Sequence, residues 1–136
     1  MKTQICSCSC GSAGAEPAKP ALVYPCSGSA DVGEISDHAA RRLAAADKAW
    51  MSCLAGIGGR VSGLMANAAA APVLIAIDGC PHDCATKTLQ LAGFSHVRSV
   101  RVTDLGFKKG RTPATADAVQ TVVQRVENLL PNPTES

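Results

Sequence analysis

Pro72-Val73-Leu74-Ile75-Ala76-Ile77-Asp78-Gly79-Cys80-Pro81 is the stretch that decides the fold. Its opening run is apolar without interruption, the pattern of a strand buried on both faces, as in a parallel sheet covered by helices. Asp78-Gly79-Cys80 then delivers a thiol to the carboxyl end of that strand. Pro81 suits the first turn of a following helix, where its missing N–H costs nothing. That helix is expected to continue to about Ala92 and to stop at Gly93.

The same unit recurs on both sides. Ala21-Leu22-Val23-Tyr24 reads as a short strand ended by Pro25-Cys26-Ser27-Gly28. Ser29 or Asp31 can cap a helix from about Val32 to Ala46, with Val32, Ile35, Ala39, Leu43 and Ala46 on its apolar face. Trp50-Met51-Ser52-Cys53-Leu54 is a weaker strand. Gly56, Gly58 and Gly59 would make a turn into a helix carrying Val61, Leu64, Met65 and Ala68. Val97-Arg98-Ser99-Val100-Arg101-Val102 alternates and suits an edge strand, ended by Thr103-Asp104-Leu105-Gly106. After the basic loop Phe107-Lys108-Lys109-Gly110-Arg111, Thr112 or Thr115 caps a last helix through Val119, Val122, Val123, Val126 and Leu130. The order βαβαβαβα predicts a small α/β domain: a doubly wound, mostly parallel four-stranded sheet, Rossmann-like or flavodoxin-like.

Cys26, Cys53 and Cys80 close three successive units at one interval (53−26 = 27, 80−53 = 27). Sulfurs at the carboxyl ends of parallel strands lie on the rim where open α/β sheets bind ligands. In a 2-1-3-4 strand order the three preceding strands are neighbours, and their tips span roughly 10 Å. Cys84, four residues after Cys80, would share a face with it on the first helical turn. The helix N-terminus adds positive partial charge and free N–H groups. Four thiolates are the set for closed tetrahedral zinc or for an iron–sulfur cluster.

Composition narrows the alternatives. The chain has 136 residues, nearly half of them apolar, so one domain can build a core without staples. Trp50, Tyr24, Phe94 and Phe107 are its only aromatic residues, too few for stacking platforms, and the net charge of +2 is spread in pairs such as Arg41-Arg42 and Lys108-Lys109. Both features argue against nucleic-acid binding. No run is long and apolar enough for a membrane span, and the N-terminus lacks a signal-peptide core. A cytoplasmic location follows as the expectation. There clustered thiols bind metal or do chemistry, and an odd count of seven cysteines is a poor disulfide framework.

Residues 1–20 read as a flexible N-terminal tail bearing Cys6-Ser7-Cys8-Ser9-Cys10, residues 21–131 as the single domain, and 132–136 as a C-terminal tail. The Cys-x-Cys-x-Cys run is either a capture site for soft metal ions or an accessory. His38 and His96 have no ligand-spaced neighbours; His82 is read as a surface residue, with an added ligand or proton donor as its alternative. Asp78 either orients a ligand or acts as a base, or is a turn or cap residue before a helix, and Asp104 shares that ambiguity. Cys26 through Asp31 resembles the start of a phosphatase loop, but Val32 stands where the phosphate-holding Arg is needed. The Gly-rich segments match neither a Walker motif nor the dinucleotide fingerprint.

Tyr24-Pro25-Cys26-Ser27-Gly28, Met51-Ser52-Cys53-Leu54-Ala55-Gly56-Ile57-Gly58, Ile77-Asp78-Gly79-Cys80-Pro81 with Cys84-Ala85, and Thr103-Asp104-Leu105-Gly106 together resemble the DGC-domain proteins. The blocks span about Leu22 to Gly110, in order. The resemblance implies zinc binding through Cys26, Cys53, Cys80 and Cys84, the thiols the spacing selects, and supplies no reaction. The favoured function is therefore a Zn²⁺-binding protein for metal handling, sensing or structure, with Lys87 or Lys109 offsetting the charge of the site. The rival is a thiol redox or sulfur-transfer enzyme with Cys80 as nucleophile and Cys84 or Cys26 resolving it; an iron–sulfur protein is the third reading. No protein partner, substrate or oligomeric state can be read from the sequence.

Overall fold

The structure, a computed structural model, describes residues 20–132. The expected tails, including Cys6, Cys8 and Cys10, lie outside the described residues except for Pro20 and Asn132. In chain order the elements are β1 (Leu22–Pro25), α1 (Asp31–Ala45), β2 (Trp50–Met51), α2 (Leu54–Gly58), α3 (Ser62–Ala70), β3 (Leu74–Asp78), α4 (Cys84–Leu91), β4 (Val97–Arg101) and α5 (Ala116–Glu127). A 3-10 turn over Val102–Leu105 follows β4.

All four strands are parallel, in the order β2-β1-β3-β4. This is the expected doubly wound arrangement. Every residue of β3 is buried, as a central strand covered on both faces must be. Successive side chains point to opposite faces. Val23, Ile75, Ile77 and Val100 therefore pack with Val32, Ile35 and Leu43 of α1 and Val119, Val122 and Val126 of α5. Leu22, Tyr24, Leu74 and Ala76 face the other way, onto Ile57, Leu64, Ala68, Ala85 and Leu89 of α2, α3 and α4. Helices on two faces of one sheet give two apolar clusters, built largely from aliphatic side chains as the composition requires.

Four local expectations need correction, three of them where contacts from elsewhere in the chain decide the local conformation. Gly56 and Gly58 lie inside α2 and not in a turn; a Cβ on Gly56 would stand 2.0 Å from Leu64 Cδ1, so glycine there serves the close approach of α2 to α3. Ala46 is the exposed C-cap of α1, two residues beyond its last buried residue, Ala44. Ala30, not Ser29 or Asp31, is the N-cap of α1, with no side-chain cap. Asp31 is the first helical residue. Its carboxylate accepts from Val32 N at 2.8 Å and from two distant amides, Gly110 N at 2.8 Å and Thr112 N at 2.9 Å. At the other end of the chain the expectation holds: Thr115 caps α5, accepting from Ala118 N at 3.2 Å. The fourth correction, at Pro81, belongs to the rim.

Asp31 thus fastens the Phe107–Thr112 loop onto the start of α1. The Gly110 and Thr112 amides hold its carboxyl below the usual carboxylate range. A depressed folded pKa stabilises the fastened loop fully above the unfolded value of ~3.9, and the effect fades as pH falls through the lower folded value. The amide shifts of Gly110 and Thr112, followed by NMR, should accordingly titrate together with a midpoint below about 3.9. In Asp31→Ala they should not respond. A midpoint at or above the ordinary value would refute the fastening.

Candidate metal centre at the carboxyl rim

The described cysteines sit where the strands end. Cys26 directly follows β1, Cys53 follows β2 as the N-cap of α2, Cys80 lies two residues beyond β3, and Cys84 is the first residue of α4. All four are free thiols, with Cys26 and Cys80 half-buried and Cys53 and Cys84 exposed. The strand order makes β2, β1 and β3 consecutive neighbours, so one rim carries them all.

Sharing a rim is different from converging on a point. Among the described residues no group of three or more Cys, His, Asp or Glu side chains stands together as a metal-holding set. Register explains part of this. Val23 is level with Met51, and Pro25 with Ile77; extending these pairings puts Cys53 one position below Cys26, and Cys80 two above it. Three positions of strand rise amount to about 10 Å, which the turns leaving the strands must absorb. The donor type and number suit Zn²⁺; enclosing the ion requires the thiol side chains and the loops bearing them to turn inward.

The Asp78-Gly79-Cys80 triplet has a separate physical task for each residue. Asp78 is 1% exposed and its carboxylate accepts from Ala85 N at 2.7 Å, Thr86 Oγ1 at 2.5 Å and Thr86 N at 3.3 Å. It therefore satisfies the free amides at the start of α4, which is the capping alternative for this residue. Gly79 meets the backbone of α1: a Cβ there would lie 2.9 Å from both Gly33 N and the Val32 carbonyl carbon. Cys80 then turns its sulfur toward the fastened basic loop, and Lys109 Nζ lies 3.8 Å from its Sγ. Of the two lysines considered for charge compensation, Lys109 is the one placed against a thiol.

Pro81 does not begin a helix. Cys80 to Asp83 form a turn in which Asp83 N donates to Cys80 O at 3.1 Å, and α4 starts only at Cys84. Cys80 and Cys84 are consequently not on one face of a helical turn. Asp83, the N-cap, takes a left-handed conformation at φ +52°, which is uncommon for a residue with a Cβ. A fork from the end of β4 accompanies it: Arg101 Nε and Nη2 donate to the two Asp83 oxygens at 2.9 and 2.6 Å. The Arg101 hydrogen bonds bring the Asp83 carboxyl below the ordinary range, and Asp83 in turn raises the guanidinium pKa. Asp104 is a second, looser partner of Arg101, at 3.4 Å. The turn between the last two cysteines is thereby tied to the adjacent strand.

Arg101 and Asp31 have roles at the rim that the sequence reading did not give them, Asp31 having been read only as a candidate helix cap. Arg101 was legible only as a polar position in an edge strand, because its partner Asp83 lies 18 residues away in sequence. His38, His82 and His96 are all exposed, and none belongs to a metal-holding group.

The sequence model of the DGC domain matches residues 22–126. A curated protein of Pseudomonas aeruginosa, the anaerobic and virulence modulator AnvM, is 35% identical over 111 residues, covering 80% of this chain and 84% of that protein. No solved structure matches the chain, and among the described residues no helix is long and apolar enough to cross a membrane. With the matched residues running from β1 into α5 and holding all four rim cysteines, the chain belongs to the DGC-domain family.

Proposed function

We propose that this is a zinc-binding protein in which Cys26, Cys53, Cys80 and Cys84 supply thiolates to one Zn²⁺ ion, serving metal sensing or handling. The observation that carries the reading is the collection of four free thiols on one rim, at the ends of three adjacent parallel strands. Lys109 supports it, because four thiolates around Zn²⁺ carry a formal charge of −2 and an ammonium beside Cys80 offsets part of that. A closed four-sulfur centre has no open coordination position for a substrate. Sensing or transfer therefore suits it better than hydrolysis. The relative named as a modulator is in keeping with a regulatory protein.

Bound zinc would supply a cross-link between successive strand–helix units. The chain's own contribution is to set the thiols: the Arg101–Asp83 fork fixes the turn between Cys80 and Cys84, and the Asp31 fastening holds Lys109 against Cys80. The same Lys109 contact favours the rival reading, in which Cys80 is a redox nucleophile.

Metal content of anaerobically purified protein, with thiol counts before and after chelation, separates the two. The expected result is one tightly held zinc per chain, and Cys53→Ser or Cys80→Ser should each lower tight binding to about a tenth or less. Absence of metal together with a single fast-reacting thiol at Cys80 would overturn zinc binding in favour of thiol chemistry.

A further inference from the structure

Lys109 contacts a sulfur where an exposed lysine ordinarily meets water or a carboxylate. Among the described residues the ion-paired cations are Arg41, Lys48 and Arg101. The partner of Lys109 Nζ is Cys80 Sγ, at 3.8 Å. We propose that Cys80 and Lys109 are a modification site, in which a hydroperoxide joins them by a reversible sulfur–nitrogen bond and so withdraws Cys80 from the donors of the rim. The bond needs only these two side chains; its consequence for metal rests on the rim being a zinc site.

Both ends of the pair are held. Lys108 N donates to Thr112 Oγ1 at 2.9 Å, that hydroxyl donates to Lys108 O at 3.0 Å, and Arg111 N donates to the same carbonyl at 3.0 Å. Gly110 takes a left-handed φ of +84°, and its amide and that of Thr112 are bound by Asp31. Lys109 is thus bracketed by fixed backbone on either side. Around the sulfur, Gly79 lies against the backbone of α1, and Asp83 N closes the turn onto Cys80 O at 3.1 Å. Cys80 is half-buried and Lys109 exposed, so a small oxidant has access to both. Their separation is close to the ~3–3.5 Å of an attacking pair. A small rotation of the lysine side chain closes the gap.

Oxidation comes first. Cys80 takes one oxygen from the hydroperoxide, two electrons pass from sulfur into the breaking O–O bond, and water or an alcohol leaves as the sulfenic acid forms. The Lys109 nitrogen, having lost a proton to solvent, then attacks that sulfur. The S–N bond forms, the S–O bond breaks, and the hydroxyl departs as water with a second proton from nitrogen. Sulfenic acids condense with a nitrogen in reach in this way. Two equivalents of a small thiol reverse the step: the S–N bond is reduced to thiol and amine, and the reductant becomes a disulfide. While the bond stands, three rim thiols remain, one short of a closed tetrahedral set.

The test treats full-length, zinc-free protein with one equivalent of hydrogen peroxide, blocks the remaining thiols and maps linked peptides by mass spectrometry. In wild type a Cys80–Lys109 link, lighter by two hydrogens and restored by dithiothreitol, should be the main oxidised form of Cys80. Lys109→Arg keeps the positive charge and should give no such link. Asp31→Ala, which frees the loop, should form it at least about tenfold more slowly. Passage of wild-type Cys80 into a disulfide or sulfinic acid, as in Lys109→Arg, would overturn the proposal, and so would an unchanged rate in Asp31→Ala. Zinc uptake reads the consequence: reduced protein should bind one zinc, and linked protein should bind it no more than about a tenth as tightly. Equal uptake by the two forms would overturn the withdrawal of Cys80. No uptake by the reduced protein would overturn the zinc reading instead, because the link is scored without metal.

Discussion

Replacing Asp78 with Ala is expected to lower stability by about 3–5 kcal/mol and the melting midpoint by more than about 10 °C. The reasoning starts from burial. The side chain is 1% exposed and accepts three hydrogen bonds, two of them from the Ala85 and Thr86 amides at the start of α4. Those amides have no partner within the helix, because the first turn of any helix leaves its N–H groups free. Truncation strands them, and each buried unsatisfied donor costs about 1–3 kcal/mol. Set against a typical margin of about 5–15 kcal/mol, this is a large fraction. Asp78→Asn should fall between wild type and Ala, since one carbonyl oxygen remains to accept while its amide faces the Thr86 N–H. Chemical denaturation decides the matter: a loss below about 1 kcal/mol for Ala would mean that water or another group takes over the cap.

Gly79→Ala is expected to cost about 3 kcal/mol, the upper end of ordinary overpacking. The new methyl would meet Gly33 N, the Val32 carbonyl carbon and Val32 O at 2.9 to 3.0 Å. These are backbone atoms, so no side-chain rotation relieves the clash, and the start of α1 must shift. Asp31 sits there and holds Gly110 and Thr112. Disturbance of those two amides by NMR is the specific signature expected alongside the lost stability. Gly63→Ala is the control: nothing lies within 4 Å of a Cβ at that position in α3, and exchange should be neutral or stabilising by up to about 1 kcal/mol. Comparable losses for both substitutions would show that the contact with α1 is not the cause.

What the sequence revealed and what it hid follow from the range of the forces involved. The apolar run into Ile77 needed only its own residues to be read as a central strand. The equal spacing of Cys26, Cys53 and Cys80 then placed three thiols at three strand ends. Errors arose where a distant partner decides a local conformation. Pro81 looks like a helix start until Arg101 is seen gripping Asp83 from another strand. Gly56 looks like a turn until Leu64 is found against it. Asp31 looks like a cap because its partners are 79 and 81 residues away. The separation of the sulfurs was hidden for the same reason, being a matter of register between strands and of the paths their turns take.

The outer strands bear on how this chain behaves in a crowded solution. On one side β2 is two residues long; on the other β4 carries Arg98, exposed Ser99 and Arg101. A strand arriving from another molecule finds room for only one or two backbone hydrogen bonds on the first side and cationic side chains on the second. Short and charged borders are poor templates for fibril growth. A protein whose interior depends on Val, Ile and Leu in place of aromatic bulk thereby keeps its most aggregation-prone segment, β3, in the middle of the sheet and away from any neighbour that could extend it.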